Sequence, residues 1–345
     1  MDPFEKRRLG RTDLHVTALG CGTATLGDAR EAIPDAQSDL TLEVAYGAGI
    51  AYFDSAPWYG RGKSEVRVGR VLASKPRSSF ALSTKVGRVL FRPRDPASFM
   101  DERWKGGLPF DLRFDYTRDG VIRAYEDSLQ RLGMNSVDAL LIHDLDAGYH
   151  GEDGVEAKLR ELDDHGGGGF RALLELKGRG EIKAIGAGIN PLGMMPRFLD
   201  RFPIDFFLVA MPYTLLNQEA LESELPRCQE KGVGIVIGAP FASGLLARGV
   251  DDPRATYGYR PVEQPIAEKT RRIAAVCARH GVPLGAAALQ FPLAHPSVAA
   301  IIPGPNHPEQ VRTNLEWVRW PIPAALWEEL KGEGLLRKDA PTPAR

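Results

Sequence analysis

Short runs of β-branched and other apolar residues alternate along this chain with longer stretches whose apolar positions recur at helical spacing. The runs Val16–Gly20, Ala51–Asp54, Phe80–Lys85, Val137–His143, Ile182–Gly188, Asp205–Ala210, Gly234–Ala239 and Val298–Pro303 predict strands. Helical periodicity falls at Leu40–Tyr46, Ser64–Leu72, Val121–Leu132, Leu173–Lys177, Met195–Asp200, Ala220–Glu230, Ala267–His280 and Pro308–Leu315. Strands that alternate with helices predict repeated βα units around a parallel sheet. Eight such units in 345 residues suit an α/β fold of the closed (β/α)8 TIM-barrel type, with its site at the C-terminal ends of the strands. The chain is expected to form a single domain over residues 1–345, opening with a β-hairpin region at 1–15 that turns around Gly10 to Asp13.

Two segments interrupt the regular spacing, Val86–Tyr116 and Asp144–Gly169, and both are placed over the barrel mouth. The first carries Phe91, Phe99, Trp104, Phe110 and Phe114 among prolines and charges, which suits either a loop that covers a substrate or a packed surface excursion. In the second, Gly166 to Gly169 reads as a hinge or linker. The end of the chain, 337–345, with Pro341 and Pro343, reads as a frayed tail.

Composition narrows the class further. With 43% hydrophobic and 26% charged residues the chain can bury a large core without disulfides or metals. A formal net charge of -1 gives no general attraction to nucleic acid, and Lys6-Arg7-Arg8 is too short to change that. Cys21, Cys228 and Cys277 are odd in number and far apart, which points to reduced thiols and a cytoplasmic location. No run reaches the length of a membrane span.

Several motifs fail on inspection. Gly20-Cys21-Gly22 lacks the third glycine of a dinucleotide fingerprint, and Gly62-Lys63-Ser64 lacks the first glycine of a P-loop, where Pro57 stands. Ser64 reads instead as a helix cap. No G-x-S-x-G elbow occurs, and His143, His150 and His165 lack metal-ligand spacing, so no metal is expected.

The chemistry concentrates at strand ends. Asp54, Lys85 and His143 each close an apolar run and Tyr59 follows one, so a barrel would bring all four to one pocket. A lysine beside a tyrosine stabilises phenolate, and a carboxylate keeps that lysine charged. Taken singly, Asp54 suits a cap, Tyr59 a packed aromatic, Lys85 an exposed strand end and His143 a satisfied core histidine. Jointly they describe a proton-transfer set.

In this order the four residues resemble the catalytic tetrad of the aldo-keto reductases. Gly49, Asp54, Ala56, Tyr59, Glu65 and Gly69 match that family's G-x4-D-x-A-x2-Y-x5-E-x3-G in phase, and the resemblance spans nearly the whole chain. It implies that Tyr59 is the general acid and base, that Lys85 stabilises its phenolate, that Asp54 holds Lys85, and that His143 orients the reacting oxygen. It further implies a nicotinamide, NAD with NADP as the alternative. Its pyrophosphate would lie on the loop of Pro240, Phe241, Ser243, Gly244 and Leu245, and its adenosine end on Pro303, Gly304, Gln310 and Asn314, with an amide contact from Asn190. Gly188, Ala210 and Gly238 stand where many members carry larger contact residues.

Within the family, Ala184–Asn190, Tyr213–Gln218, Ala286–Pro292 and His143-Asp144-Leu145-Asp146 resemble the sugar 1-dehydrogenase branch. The implied reaction is oxidation of a free aldose at its anomeric hydroxyl to the lactone, with Trp58, Asp144 and Asp146 as sugar contacts. Pyridoxal 4-dehydrogenase, with much the same pattern, implies the alternative substrate. A Schiff-base lyase using Lys85 and a non-catalytic binding subunit stand as readings from other classes. The expected partner is a small molecule, with no nucleic acid and no membrane; the oligomeric state is open.

Overall fold

A computed structural model describes residues 1–29, 31–95, 99, 101–258 and 260–343. Eight strands form one parallel sheet in sequential order: β1 Cys21–Gly22, β2 Tyr52–Asp54, β3 Ala81–Val86, β4 Ala139–His143, β5 Ala184–Ile189, β6 Phe206–Val209, β7 Gly234–Ile237 and β8 Val298–Ile301. The sheet closes on itself through a parallel bridge between Leu19 and Ile301 and the Gly22 amide bonded to the Pro303 carbonyl at 3.0 Å. Helices connect successive strands, and the fold is (β/α)8.

The N-terminal hairpin is present, its strands Lys6–Arg8 and His15–Thr17 pairing antiparallel. The expected first strand, Val16–Gly20, is therefore displaced: its start belongs to the hairpin, and the barrel strand begins at Cys21. Leu9, Leu14 and Val16 pack with Tyr52, Ala139, Leu141 and Phe206, so the hairpin plugs the floor of the barrel. Strand alternation then sends Asp54, Lys85 and His143 to the interior at the open end, above that apolar floor.

The first insertion contains a second hairpin, Arg88–Phe91 paired with Asp111–Phe114. Its connecting segment folds back over the barrel, where the Lys105 amide bonds the Asp28 carbonyl and the Leu108 amide bonds the Gly60 carbonyl. Residues 96–98 and 100 of this insertion lie outside the described residues. The second insertion contains a helix, Ala147–Asp163, broken at Gly151, where φ is +66°. Gly168 is not a loose link there, because a Cβ would lie 2.5 Å from the carbonyls of Glu161 and Leu162. The expected tail is docked over its described part: Arg337 pairs with Glu222 and Asp339, and Ala340 is buried. Residues 344 and 345 lie outside the described residues.

Candidate active site

β2 delivers Asp54 and β3 delivers Lys85 to the same point in the barrel. The Lys85 ammonium donates to Asp54 Oδ2 at 2.6 Å and to the Ser55 carbonyl at 2.8 Å. Ser83, paired in register with Asp54 on the neighbouring strand, donates to Asp54 Oδ1 at 2.7 Å. Burial pushes the Asp54 carboxyl up, while Lys85 and Ser83 pull against it. Both carboxylate oxygens are thus occupied, so Asp54 anchors Lys85 and faces no solvent.

Tyr59 sits on the turn after β2, half-buried, with the Lys85 nitrogen 4.7 Å from its ring centroid. The His143 ring meets it edge-on, with centroids 5.9 Å apart. His143 is nearly fully buried, and burial, followed by the cations Lys85, Arg88 and Arg103, holds it well below the usual histidine range. It is therefore neutral at neutral pH. Its Nδ1 is buried with no partner among the described residues, and its Nε2 lies 3.4 Å from Asp144 Oδ2.

All four residues of the expected set meet in one cluster with Trp58 and Asp144. Asp146 serves a different local purpose: it caps the helix Ala147–Asp163 by accepting from the Gly148 amide at 2.9 Å. Its other oxygen is buried without a partner among the described residues. Asp144 accepts a hydrogen bond from Arg88. Ser64 is not the cap of its helix, which starts at Lys63 after Gly62; its hydroxyl is buried and donates to the Thr23 carbonyl at 2.8 Å.

The insertions contribute residues that spacing alone did not single out. Arg88, Trp104, Phe114 and Tyr149 enclose the mouth: Trp104 packs on Trp58 at 5.4 Å and on Tyr59 at 6.0 Å, and the Arg88 guanidinium lies 4.4 Å from the Phe114 centroid. Trp104 and Phe114 are marked in the sequence as aromatics of the first insertion, and Arg88 follows Lys85 by three positions. Gly188 of β5 is paired in register with His143, where a Cβ would lie 3.5 Å from the Lys85 side chain, and Ala210 and Gly238 directly follow β6 and β7.

The expected dinucleotide segments follow β7 and β8. Ala242, Ser243 and Gly244 after β7 have φ of +48°, +62° and +93°, a left-handed turn in which the Ala242 and Gly244 amides donate to the carbonyls of Ala239 and Phe241. Pro240 and Leu245 flank it, buried, and the Phe241 ring stands against Trp317 at 5.8 Å. After β8, Pro303 is tied to β1, Gly304 lies beside Thr25, and Asn314 is buried on the helix Pro308–Arg319. Gln310 folds back to accept from the Asn306 amide at 2.8 Å, while Asn190 is exposed just past β5. Arg312 pairs with Glu309. The left-handed turn after β7 and the small residues Gly188, Ala210 and Gly238 near the ends of β5 to β7 fit a nicotinamide dinucleotide.

Comparison with known proteins agrees with this geometry. A model of the Aldo/keto reductase family matches residues 18–332. Pyridoxal 4-dehydrogenase of Microbacterium luteolum is 42% identical, covering 96% of this chain and 98% of that protein. D-threo-aldose 1-dehydrogenase of a Pseudomonas species is 37% identical and covers 96% of both chains. Among solved structures, an aldo-keto reductase from Bacillus halodurans in its holo form superposes with a TM-score of 0.71 at 26% identity, covering 97% of each chain.

Proposed function

The chain belongs to the aldo/keto reductase family of oxidoreductases, and from that premise we propose that it oxidises a cyclic hemiacetal to its lactone with NAD. The observation that carries this reading is the buried Asp54–Lys85 pair set beneath Tyr59 and beside a neutral His143. The bound nicotinamide supplies the hydride acceptor. Tyr59 removes the hydroxyl proton, and Lys85 stabilises the phenolate, with Asp54 and the Ser55 carbonyl fixing the ammonium. His143 holds the reacting oxygen by hydrogen bonding. The carbon loses hydride and the oxygen loses its proton, so a hemiacetal C–OH becomes the lactone carbonyl. The same grip on Lys85 opposes the free amine that a Schiff base requires.

Pro240, Phe241, Ser243, Gly244 and Leu245 would hold the pyrophosphate, and Pro303, Gly304, Gln310 and Asn314 the adenosine end. NAD is preferred because the candidate phosphate-binding cation, Arg312, is already paired with Glu309, and Glu31 stands nearby on Asn306.

A free aldose is the first substrate, stacked on Trp58 as sugars stack on aromatic faces. Pyridoxal, which also presents a cyclic hemiacetal, is favoured by two specific observations. Asp144 is engaged by Arg88, so it is less free to bind sugar hydroxyls. The relative at 42% identity also carries that substrate in its name. Purified protein with NAD or NADP, offered L-fucose, D-arabinose, L-galactose and pyridoxal, tests the reading. Nicotinamide reduction with at least one of these is expected. Faster turnover of pyridoxal than of every sugar decides for the second substrate, and no reduction with any rejects the oxidation.

A further inference from the structure

Two arginines among the described residues are almost fully buried, and they are satisfied differently. Arg67 places its guanidinium on Asp28 and on the carbonyls of Leu26 and Ile33, at 2.6, 2.6 and 2.7 Å, a set that leaves little unmatched. Arg88, 2% exposed at the barrel mouth, donates from Nη2 to Asp144 and keeps a buried Nε with no partner among the described residues. Its guanidinium is held by rings instead, with centroids of Trp58, Phe114 and Tyr149 at 4.6, 4.4 and 4.6 Å. Leaving a buried donor unmatched costs stability that a purely structural arginine would recover through carbonyl partners. The cage fixes the guanidinium plane and leaves one carboxylate as its target.

That carboxylate is the link to the chemistry. The Asp144 oxygen that accepts from Arg88 is the one 3.4 Å from His143 Nε2, and Asp144 is held at φ +50°. Resting on the oxidation proposed above, we infer that Arg88 is a positioning residue: by clamping Asp144 it fixes the orientation of His143 and its Nε2–H tautomer, the donor that holds the reacting oxygen. The charges facing His143 are Lys85 from β3, Arg88 from the mouth hairpin, Arg103 from the segment that folds over it, and Asp144 in its own loop. Tyr59 meets its ring, Tyr116 donates to its carbonyl at 2.8 Å, and His150 lies behind Tyr116. Burial pushes the Asp144 carboxyl up, and Arg88 is the strongest group opposing that push. Without Arg88, the Asp144–His143 pair faces two cations instead of three and takes up a proton more readily.

The imidazole nitrogens, followed by NMR across pH in wild type, Arg88→Met, Arg88→Lys and Asp144→Gly, give a readout that needs no turnover; His143→Gln assigns the signals. Wild type is expected to show a neutral His143 with the proton on Nε2. In Arg88→Met the pair should titrate about one pH unit higher or more, and Arg88→Lys should restore most of the shift. In turnover, Arg88→Met should lower kcat more than it changes KM, and the acid limb should move up with the titration. An unchanged tautomer and titration in folded Arg88→Met overturns the inference. If that variant does not fold, Asp144→Gly decides, because it suits the φ of +50° and carries no acceptor, so retention of a pure Nε2–H tautomer there also overturns it. A wild type inactive on every hemiacetal rejects the oxidation, while the NMR arms still decide the role of Arg88.

Discussion

Tyr59 is the residue on which the chemistry turns, because Lys85 and Asp54 are both arranged to serve an acid or base placed above them. Tyr59→Phe keeps the ring that packs on Trp104 and removes the proton carrier. Turnover should fall roughly 10²–10⁴-fold while NAD affinity, measured by fluorescence titration, stays near wild type; undiminished turnover would displace Tyr59 from its role. A second residue-scale prediction concerns the cofactor. Glu309 neutralises Arg312, so Glu309→Gln should free that cation and raise kcat/KM for NADP several-fold relative to NAD. An unchanged ratio in that variant means that Arg312 does not reach the cofactor. The matched residues Glu65 and Gly69 are explained by contacts that act at this same scale. Glu65, wholly buried, accepts from Thr84 and from Arg131, both at 2.6 Å, and a Cβ at Gly69 would lie 2.2 Å from the Leu132 carbonyl.

At the scale of elements, the segment that carries Trp104 over the mouth is tied down by Arg61 on Asp101, by the Lys105 and Leu108 amides and by Lys63. Lys63 donates to Asp28 Oδ2 at 2.6 Å and to the Gly106 carbonyl at 2.7 Å, so it fastens that segment to the start of its own helix. Asp28 also keeps Arg67 and the Ile33 amide, and Lys63→Met therefore loosens the segment without emptying the buried ion pair. One buried carboxylate oxygen is left unmatched, which costs about 1–3 kcal/mol. The variant should remain folded with a lower melting temperature, a red-shifted tryptophan emission as Trp104 gains water, and a KM for the hemiacetal raised several-fold. Emission identical to wild type would show that Lys63 does not secure the cover. The sequence marked this insertion by its aromatics, yet its hairpin went unseen because its strands pair across a long connection. The helix Ala147–Asp163 was hidden by Gly148, Gly151 and Gly154, and Leu284–Leu293 by being buried on every side, which erases helical periodicity.

For the whole molecule, acid sensitivity follows from buried histidines. His295 is pushed down to about 4 by burial, and its Nδ1 accepts from the Ser297 amide, which a proton there would break. Because the folded value lies below the ordinary one, the unfolded chain binds the proton first. The stability this contributes is present above about pH 6.5 and is lost as pH falls toward 4. His143 acts in the same direction. Denaturant midpoints measured from pH 7 to 4.5 should therefore fall less steeply in His295→Gln than in wild type, and parallel curves would remove His295 as a source of that sensitivity.

By itself the sequence determined the alternation of strands and helices, the parallel barrel, and the four ionisable residues at its open end. These were legible because strand period, helix period and a residue closing an apolar run are local properties. The first barrel strand was misplaced for the same reason: an apolar run around Val16 does not state which partner it will pair with, and the hairpin claimed it. Only the tertiary structure decided what surrounds the tetrad. Arg88 and Asp144 stand 56 positions apart and Lys63 and Gly106 stand 43 apart, so neither contact leaves a periodic trace. The helix end that occupies Asp146 and the rings that cage Arg88 exist only once the insertions have folded back over the barrel, where burial turns ordinary side chains into a charged site.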